Sequence, residues 1–264
     1  MAVISLMTDF GTKDGHVGVM KGVILGIAPG AQIVDLSHGI SPQSVLEAAL
    51  ILSRTYSFFP KYTIFVIVVD PGVGTARRPI AGQIGNYSYV VPDNGILTPI
   101  LQTAKTYQEP IKLVHLNRPE YWLSNISNVF HGRDIFAPAG AHLAAGKKIL
   151  DLGDPIDDPI LIKIPTAVKN QNGLTGEVIH VDNFGNISTS IRRNDLESHD
   201  QLVVRLGSAE INGLYHTFGE LPPGELMALL GSTDYLIISE VNGNAENRLQ
   251  VKIGDPVEVI YRKM

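Results

Sequence analysis

Six consecutive apolar residues, from Ile64 to Val69 (IFVIVV), constrain the fold more than any other segment of the chain. Five of the six are β-branched, which favours a strand. Strands without polar positions are typical of parallel sheets whose two faces are both covered. The run stops at Asp70 and continues into a glycine-rich loop that carries Arg77 and Arg78. We therefore predict a buried strand that delivers one carboxylate to a loop with positive charge.

The segments around this strand alternate between strand-like and helix-like patterns. Residues 2–7 and 32–36 are short strand-like runs, and residues 14–28 carry a helical stripe of apolar side chains that Pro29-Gly30 ends. Ser41-Pro42 predicts the start of a second helix, with the serine as N-cap. This alternation predicts an α/β layered domain with a mostly parallel sheet.

The pattern changes after Gly146. Residues 150–173 contain four acidic residues and three prolines, a composition typical of a linker. Short strand patterns separated by turns follow, which predicts a smaller all-β barrel or sandwich. We therefore predict two domains, residues 1–160 and residues 161–264.

Composition excludes several functional classes. The 264 residues carry a formal net charge of −5, and the sequence contains no basic cluster that would indicate a nucleic-acid or anionic membrane partner. Cysteine is absent, which excludes disulfides, a thiol nucleophile and cysteine metal ligands. No apolar run approaches the roughly 18 residues of a membrane span, and the N-terminal residues do not resemble a signal peptide. We therefore expect a soluble cytoplasmic protein.

Three aspartates lie at or near the ends of predicted strands, where open α/β sheets bind ligands. They are Asp9, Asp35 and Asp70. Each could instead serve as a turn former or a helix cap, and we interpret Asp35 as structural because apolar Leu36 follows it. The loop DPGVGTARR lacks the Gly-Lys-Ser/Thr of a phosphate-binding loop, so its glycines indicate a tight turn that keeps Arg77 near Asp70.

His131 precedes a helix predicted over residues 134–145. A helix N-terminus disfavours a charged imidazole, so a neutral His131 could donate or accept a hydrogen bond, or could be structural. A metal site formed by Asp9, Asp70, His131 and Asp134 is an alternative. Against it, no local ligand motif is present, and a nearby arginine would compete for the carboxylates.

The second domain offers a loop with recognition chemistry, HVDNFGNISTSI. Asp182, Asn186 and Ser188 could bind polar groups of a ligand, and Phe184 could stack on a heterocycle. The turn VNGNAEN adds backbone amides. Two ordinary β-turns would explain these residues equally well.

Six motifs together resemble one known family: TDFGTKDGHVGVMKG, VVDPGVGTARR, VPDNG, FHGRDIFAP, DNFGN and NGNA. In this order they are similar to the adenosine-forming S-adenosyl-L-methionine (SAM) hydrolases, also called SAM hydroxide adenosyltransferases, which are related to the fluorinase and chlorinase enzymes. The resemblance runs from about residue 4 to residue 256. It implies an N-terminal α/β domain and a C-terminal β-barrel, assembled as a trimer with the site between neighbouring subunits.

The resemblance also implies a reaction and a set of residue roles. Water attacks C5′ of SAM and releases adenosine and methionine, with no metal and no cofactor besides the SAM substrate. Asp70, Arg77 and His131 would handle the water, and Asp9 would bind the ribose hydroxyls. The remaining implied contacts are, for methionine, Asp14, Asp182, Ser232 and Thr233, and, for adenine, Asn186, Phe184, Phe218 and the backbone at Ala245.

Three other functions are alternatives to SAM hydrolysis. The halogenases of this fold lack the Asp–Arg–His set, which favours hydrolysis here, and they differ from this chain at His16 and Gln43, so neither residue is assigned a role. A non-catalytic SAM or adenosine sensor would not need Arg77 and His131. A metal-dependent hydrolase of another nucleoside would depend on the metal site considered above.

Overall fold

The structure, a computed structural model, describes residues 2–196 and 202–262. The chain forms two compact units, Met1–Ile164 and Pro165–Met264. No helix in the described residues is long and apolar enough to cross a membrane. The elements of the first unit are, in chain order, β1 (Val3–Thr8), α1 (His16–Ile27), β2 (Gln32–Ser37), α2 (Val45–Thr55), β3 (Ile64–Val68), β4 (Pro79–Ile84), β5 (Tyr87–Pro92), α3 (Thr98–Thr106), β6 (Ile111–His115), α4 (Ala137–Ala144) and β7 (Asp154–Ile156).

The strands of the first unit form one mixed sheet in the order β2-β1-β3-β5-β4-β6-β7. The pairings β1–β2 and β1–β3 are parallel, as the sequence predicts, and β3–β5 is parallel as well. The pairings β4–β5, β4–β6 and β6–β7 are antiparallel. The sheet is therefore mixed rather than mostly parallel, because a tight hairpin at Gly85, with φ 54°, reverses the chain between β4 and β5.

Helices cover both faces of this sheet. One face packs against α1 and α4, with Met20 and Val66 among the buried side chains. The other packs against α2 and α3, with Leu52 and Phe65 in the core. All five residues of β3 are buried, which confirms the strand predicted from its apolar run. This arrangement leaves the ends of the strands as the places where polar groups can meet.

The helix α2 begins at Val45, so the predicted start at Ser41-Pro42 is wrong. Gln43 has φ 65°, a left-handed conformation that a right-handed helix does not contain. The Ser44 N–H donates to the Ser41 carbonyl at 3.0 Å, which closes a turn. Ser41 and Pro42 therefore form a turn ahead of the helix rather than its first residues.

The helix predicted over residues 134–145 is composite. Gly132–Phe136 forms a short π-helix, and α4 continues from it without a break. Pro138 has no N–H and its ring crowds the carbonyl four residues earlier, so the regular hydrogen bonding of an α-helix is interrupted ahead of this position. A π-helical turn accommodates the change, and such turns are frequent at functional sites. His131 immediately precedes it.

The second unit is built almost entirely of strands. The elements are β8 (Val168–Asn170), β9 (Gly173–Val181), β10 (Ile187–Arg192), β11 (Leu202–Leu206), β12 (Ala209–Asn212), β13 (Leu226–Leu230), β14 (Tyr235–Glu240), α5 (Ala245–Leu249) and β15 (Pro256–Tyr261). Seven strands pair in the order β12-β11-β15-β9-β10-β14-β13, and β8 pairs with β9. The N–H of Tyr215, just after β12, donates to Ala228 of β13 at 2.9 Å, so the sheet curls until its two ends approach each other. The unit is a near-barrel around a core that includes Val204 and Ile238.

Candidate active site

Two of the predicted acids emerge side by side at the carboxyl ends of β1 and β3. Thr8 and Val68 are register partners, Asp9 directly follows the first, and Asp70 lies two residues beyond the second. Both acids line a cavity of about 280 Å³. The lining residues are Asp9, Phe10, Pro42, Gln43, Val68, Asp70, Val73, Val129, Phe130, His131 and Gly132.

Asp70 is held by a two-point ion pair with Arg77. The Arg77 Nε donates to Asp70 Oδ1 at 3.1 Å, and Nη2 donates to Oδ2. The Gly72 N–H adds a third hydrogen bond to Oδ1 at 3.2 Å. The two side chains are only 5% and 6% exposed, so the pair is shielded from solvent. Its orientation is therefore fixed before any ligand binds.

Glycine at two positions lets the loop return Arg77 to Asp70. Gly74 has φ +76°, and a Cβ there would lie 2.3 Å from the Asn128 carbonyl oxygen. A Cβ at Gly72 would lie 3.2 Å from the Arg77 Cβ. Residues with side chains would strain the first position and crowd the second. The structure therefore confirms that these glycines form a tight turn.

His131 joins the pair from the start of the π-helix. Its Nδ1 lies 3.2 Å from Arg77 Nη2. Because a guanidinium can only donate, Nδ1 must accept, and in a neutral ring the proton is then on Nε2. Burial lowers the pKa of His131, and the neighbouring Arg77 lowers it further. His131 is therefore a neutral ring that offers the cavity an N–H donor.

The pKa of the Asp70 carboxylate is shifted in the opposite direction from that of His131. Burial raises its pKa above the ordinary value, while Arg77 and the Gly72 N–H oppose that rise. A desolvated carboxylate is a better proton acceptor than one in water, and the guanidinium keeps it ionised. Arg77 thus contacts both a proton acceptor, Asp70, and a hydrogen-bond donor, His131.

Arg77 itself is not among the residues that line the cavity. Its guanidinium carbon lies 5.2 Å from the centre of the Phe136 ring. Within the part of the chain that the structure describes, Nη1 is buried and has no hydrogen-bond partner. Arg77 therefore lies behind Asp70 and His131 and holds both of them toward the cavity.

Asp9 also lines the cavity. Its Oδ2 accepts the Gln43 N–H at 2.8 Å, which leaves Oδ1 for other donors. Phe10 and Phe130, whose ring centres are 5.9 Å apart, supply an apolar wall. Neither Gln43 nor Phe130 was predicted to belong to the site. His16, which received no predicted role, packs against the edge of Phe130 at 5.1 Å.

Two other acidic residues of this region do not line the cavity. Asp14 is exposed in the turn before α1 and does not line the cavity. Asp134 is fully buried, and its oxygens accept the Ser127 N–H at 2.7 Å and Arg133 Nε at 2.5 Å. Asp134 therefore anchors the neighbouring loop. Across residues 2–196 and 202–262, no group of three or more His, Cys, Asp or Glu side chains is placed to hold a metal ion.

In the second unit, Asp182 holds the predicted recognition loop in shape through hydrogen bonds within the loop. Asp182 Oδ1 accepts the N–H groups of Phe184 and Asn186, each at 2.9 Å, and Oδ2 accepts the Asn186 side-chain amide at 2.8 Å. The Gly185 carbonyl accepts the Glu246 N–H at 3.1 Å, which joins this loop to the turn before α5. The structure therefore brings the two predicted recognition turns together.

Of the remaining residues predicted to contact the substrate from the second unit, all but Ala245 are exposed. Phe184 is 74% exposed and Phe218 is 48% exposed, which is unusual for phenylalanine. Ser232 and Thr233 lie in the exposed turn between β13 and β14. Ala245 is buried at the first position of α5.

Comparison with known proteins gives full-length matches. Residues 4–153 match the family model of the SAM hydroxide adenosyltransferase N-terminal domain, and residues 176–258 match that of the C-terminal domain. The chain is 36% identical to the (R)-S-adenosyl-L-methionine hydrolase of Salinispora arenicola, over 97% of both chains. It is 31% identical to a fluorinase of Actinoplanes sp., over 74% of this chain and 73% of that enzyme.

A solved structure agrees with this assignment. The crystal structure of an uncharacterized conserved protein from Thermotoga maritima superposes with a TM-score of 0.89 at 36% sequence identity, and the match covers 97% of this chain and 99% of the other. Sequence motifs, family models and fold therefore agree over nearly the whole length. The chain belongs to the SAM hydroxide adenosyltransferase family.

Proposed function

We propose that this protein hydrolyses SAM to adenosine and L-methionine. The observation that carries the proposal is the hydrogen-bonded set of Asp70, Arg77 and His131 beside a cavity that Asp9 also lines. Family membership and the name of the Salinispora arenicola relative support the same reaction.

The reaction is a nucleophilic substitution at the ribose C5′. The oxygen of water forms a bond to C5′ while the C5′–S bond breaks, and the sulfonium sulfur keeps the electron pair as a neutral thioether. One proton leaves the water. Because the leaving group needs no proton and is already activated by its positive charge, the proposed chemistry requires no cofactor beyond the substrate. What the protein must supply is a positioned water that loses its proton easily.

Asp70 is the residue that we assign as proton acceptor. His131 already carries its proton on Nε2 and uses Nδ1 to accept from Arg77, so in this state it has no free site for another proton. Asp70 retains unused lone pairs, and burial raises its pKa. His131 would then donate its Nε2 hydrogen to the water oxygen and orient a lone pair toward C5′.

Arg77 acts, in this proposal, as a positioning residue. Its two-point contact fixes the carboxylate plane of Asp70, and the same guanidinium fixes the tautomer of His131. The buried side chain does not line the cavity, so it would influence the water through its two partners. Arginine suits this task because its planar fork can hold a carboxylate and a ring nitrogen at once.

The apolar wall of the cavity suits a substrate whose charge disappears during the reaction. Positive charge on sulfur is lost as the C–S bond breaks, and a poorly solvating site disfavours the charged ground state. Phe10, Val73 and Phe130 supply such a surface. Asp9 would accept hydrogen bonds from the two ribose hydroxyls, since a carboxylate can accept two side by side.

The remaining roles rest on resemblance to the family. We assign methionine contacts to Asp14, Asp182, Ser232 and Thr233, and adenine contacts to Asn186, Phe184, Phe218 and the Ala245 backbone. The exposed phenylalanines fit this assignment, because an aromatic face in solvent is available for a heterocycle. We further propose a cytoplasmic homotrimer in which a neighbouring subunit completes the site.

Incubation with SAM tests the proposed reaction. Purified protein should convert SAM to equal amounts of adenosine and methionine, as measured by chromatography, in halide-free buffer and equally in buffer with chloride or fluoride. A 5′-halogenated adenosine would instead support the halogenase alternative. SAM that binds but is never consumed would support a sensor.

A further inference from the structure

A second cavity lies at the opposite end of the sheet in the first unit, at the amino ends of the parallel strands. Its volume is about 510 Å³, larger than that of the candidate active site. The residues that line it are Ala2, Val3, Pro60, Lys61, Tyr62, Ile64, Gln83, Ser88, Lys112, Leu143, Lys147, Lys148, Ile149 and Leu150. We call it the amino-end cavity.

Polar side chains of neighbouring strands form the floor of this cavity. Ile64 of β3, Ser88 of β5, Gln83 of β4 and Lys112 of β6 are successive register partners across the sheet. Register partners project to the same face, and Ile64 belongs to the core that packs against α1 and α4. The serine, glutamine and lysine therefore stand on the face that is otherwise apolar, where α4 has ended at Ala144.

The charge of the amino-end cavity has one sign. Lys61, Lys112, Lys147 and Lys148 line it, and no acidic residue does. Within residues 2–196 and 202–262, none of these lysines forms an ion pair with a carboxylate; Lys147 Nζ lies 5.5 Å from the centre of the Tyr121 ring. The chain as a whole carries a net charge of −5, so the cavity is a positively charged region of a protein with net negative charge.

Helix capping explains only part of this arrangement. Lys147 and Lys148 follow the C-terminus of α4, where positive charge is favourable in any protein. Lys61 lies between α2 and β3, and Lys112 lies on β6, so neither belongs to the last turn of an α-helix. Their convergence with the other two lysines leaves a concentration of positive charge that the fold does not neutralise.

An aromatic side chain stands at the rim of the same cavity. Tyr62 is 73% exposed and has φ 69°, an unfavourable conformation for a bulky residue. Its N–H donates to the Asn86 carbonyl at 2.7 Å, which holds the strained turn in place. The backbone therefore keeps an aromatic ring next to Lys61, in solvent.

We propose that the amino-end cavity binds the phosphate chain of a polyphosphorylated anion, a di- or triphosphate group that is free or carried by a nucleotide. Unpaired lysines supply the charge, and the Ser88 hydroxyl and the Gln83 amide supply neutral donors. The cavity volume falls in the range of about 300–1,000 Å³ that is usual for small-molecule sites. Tyr62 offers a face on which the base of a nucleotide would stack.

Calorimetric titration of the whole protein with inorganic tripolyphosphate, ATP and AMP tests this proposal. Saturating adenosine is present throughout, so that the nucleotides cannot occupy the candidate active site. Tripolyphosphate should bind at one site per chain, and AMP should bind at least tenfold more weakly because it carries a single phosphate. If Tyr62→Ala weakens ATP binding severalfold but leaves tripolyphosphate unchanged, the natural ligand is a nucleotide. Equal effects on the two ligands, or none, identify the phosphate chain alone as the recognised group.

Lysine variants locate the site. Lys112→Ala with Lys147→Ala should weaken tripolyphosphate binding at least tenfold, whereas Lys105→Ala, an exposed lysine on α3 outside the cavity, should leave it unchanged. The proposal is overturned if tripolyphosphate does not bind saturably at millimolar concentration. It is also overturned if the double variant binds as well as the original protein, or if Lys105→Ala weakens binding as much. The tripolyphosphate result is independent of whether the protein hydrolyses SAM.

Discussion

The two cavities of the first unit lie at opposite ends of one sheet and differ in whether their charged side chains are paired. At the carboxyl ends, Asp70 is bound at both oxygens and at a backbone amide before any ligand arrives. At the amino ends, four lysines line a larger cavity without a carboxylate among its lining residues. Fixed charges suit bond-making chemistry, which depends on pre-set geometry, whereas lysines without an ion-pair partner suit binding of an anion. Substitutions at the carboxyl ends should therefore affect SAM hydrolysis far more than substitutions at the amino ends.

Asp70→Asn should have the largest effect. The amide cannot take a proton from water, so kcat for adenosine release should fall by roughly 10²–10⁴-fold while SAM still binds. Chromatographic assay of adenosine, with calorimetry for SAM binding, measures both quantities. Unchanged turnover would rule out Asp70 as the proton acceptor.

A second strand-end aspartate provides the matched control. Asp93 follows β5, is 1% exposed in its side chain and is paired with Arg78, but it does not line the candidate active site. Asp93→Asn should lower the free energy of unfolding by about 1–3 kcal/mol, measured by urea denaturation, and leave kcat within about twofold. If Asp93→Asn and Asp70→Asn reduced kcat equally, the loss would reflect stability rather than chemistry.

Arg77→Lys should have the next largest effect. An ammonium cannot make the two-point contact with Asp70 and also contact His131, so both side chains would lose their fixed orientation. We expect kcat to fall by about 10²-fold, the size of loss that small misplacements of reacting groups cause. The KM for SAM should change far less. A variant that loses SAM affinity but keeps kcat would show that Arg77 contacts the substrate.

The pH dependence tests the role of His131. Since its pKa is lowered, the ring is neutral at pH 7 and becomes charged only below the ordinary value of 6.5. Protonation at Nδ1 would remove the acceptor for Arg77 and place two cations together. We therefore expect kcat to fall about tenfold per pH unit below a midpoint under 6.5.

His131→Asn separates this effect from titration of Asp70. The variant should be slower at pH 7, and any remaining acid limb should follow Asp70 alone and lie at lower pH. An acid limb that is identical in both proteins would show that His131 is not the titrating group.

The lowered pKa of His131 also predicts a change in stability with pH. The folded state binds fewer protons than the unfolded state, so the free energy of unfolding should decrease as pH falls through the unfolded histidine pKa.

The smallest effect on hydrolysis should come from the amino-end cavity. Lys112→Ala with Lys147→Ala, in the absence of phosphate ligands, should leave kcat and KM for SAM within about twofold, because neither residue lines the candidate active site. The same variant is the one expected to lose tripolyphosphate binding. A large fall in SAM hydrolysis would contradict the separation of the two ends.

The sequence predicted the carboxyl-end site far better than the amino-end cavity. Asp70 and Arg77 are seven residues apart on a strand and a glycine turn, so local rules bring them together. Lys61, Lys112 and Lys147 come from three distant segments, and no basic cluster is visible in the sequence. The register of β3, β5, β4 and β6 places Lys112 in the cavity, and the fold brings Lys61 and Lys147 to it from the segments before β3 and after α4.

Backbone conformation limited the prediction at two further points. Gln43 is left-handed without being glycine, so the sequence predicted a helix where the chain instead donates an N–H to Asp9. The parallel pairing of β1, β2 and β3 followed from the alternating pattern of strands and helices. The turn at Gly85-Asn86 also predicts the antiparallel hairpin of β4 and β5, which the structure confirms. The antiparallel pairings β4–β6 and β6–β7 did not follow from the pattern, because they join segments that are distant in sequence.

Hydrolysis of SAM in water labelled with ¹⁸O is the most direct test of the central claim. If water is the nucleophile and attacks C5′, mass spectrometry should find one labelled oxygen in the 5′-hydroxyl of adenosine and none in methionine. Asp70→Asn should slow the appearance of this product without changing where the label lies. Adenosine without label, or a 5′-halogenated product formed in its place, would contradict the account.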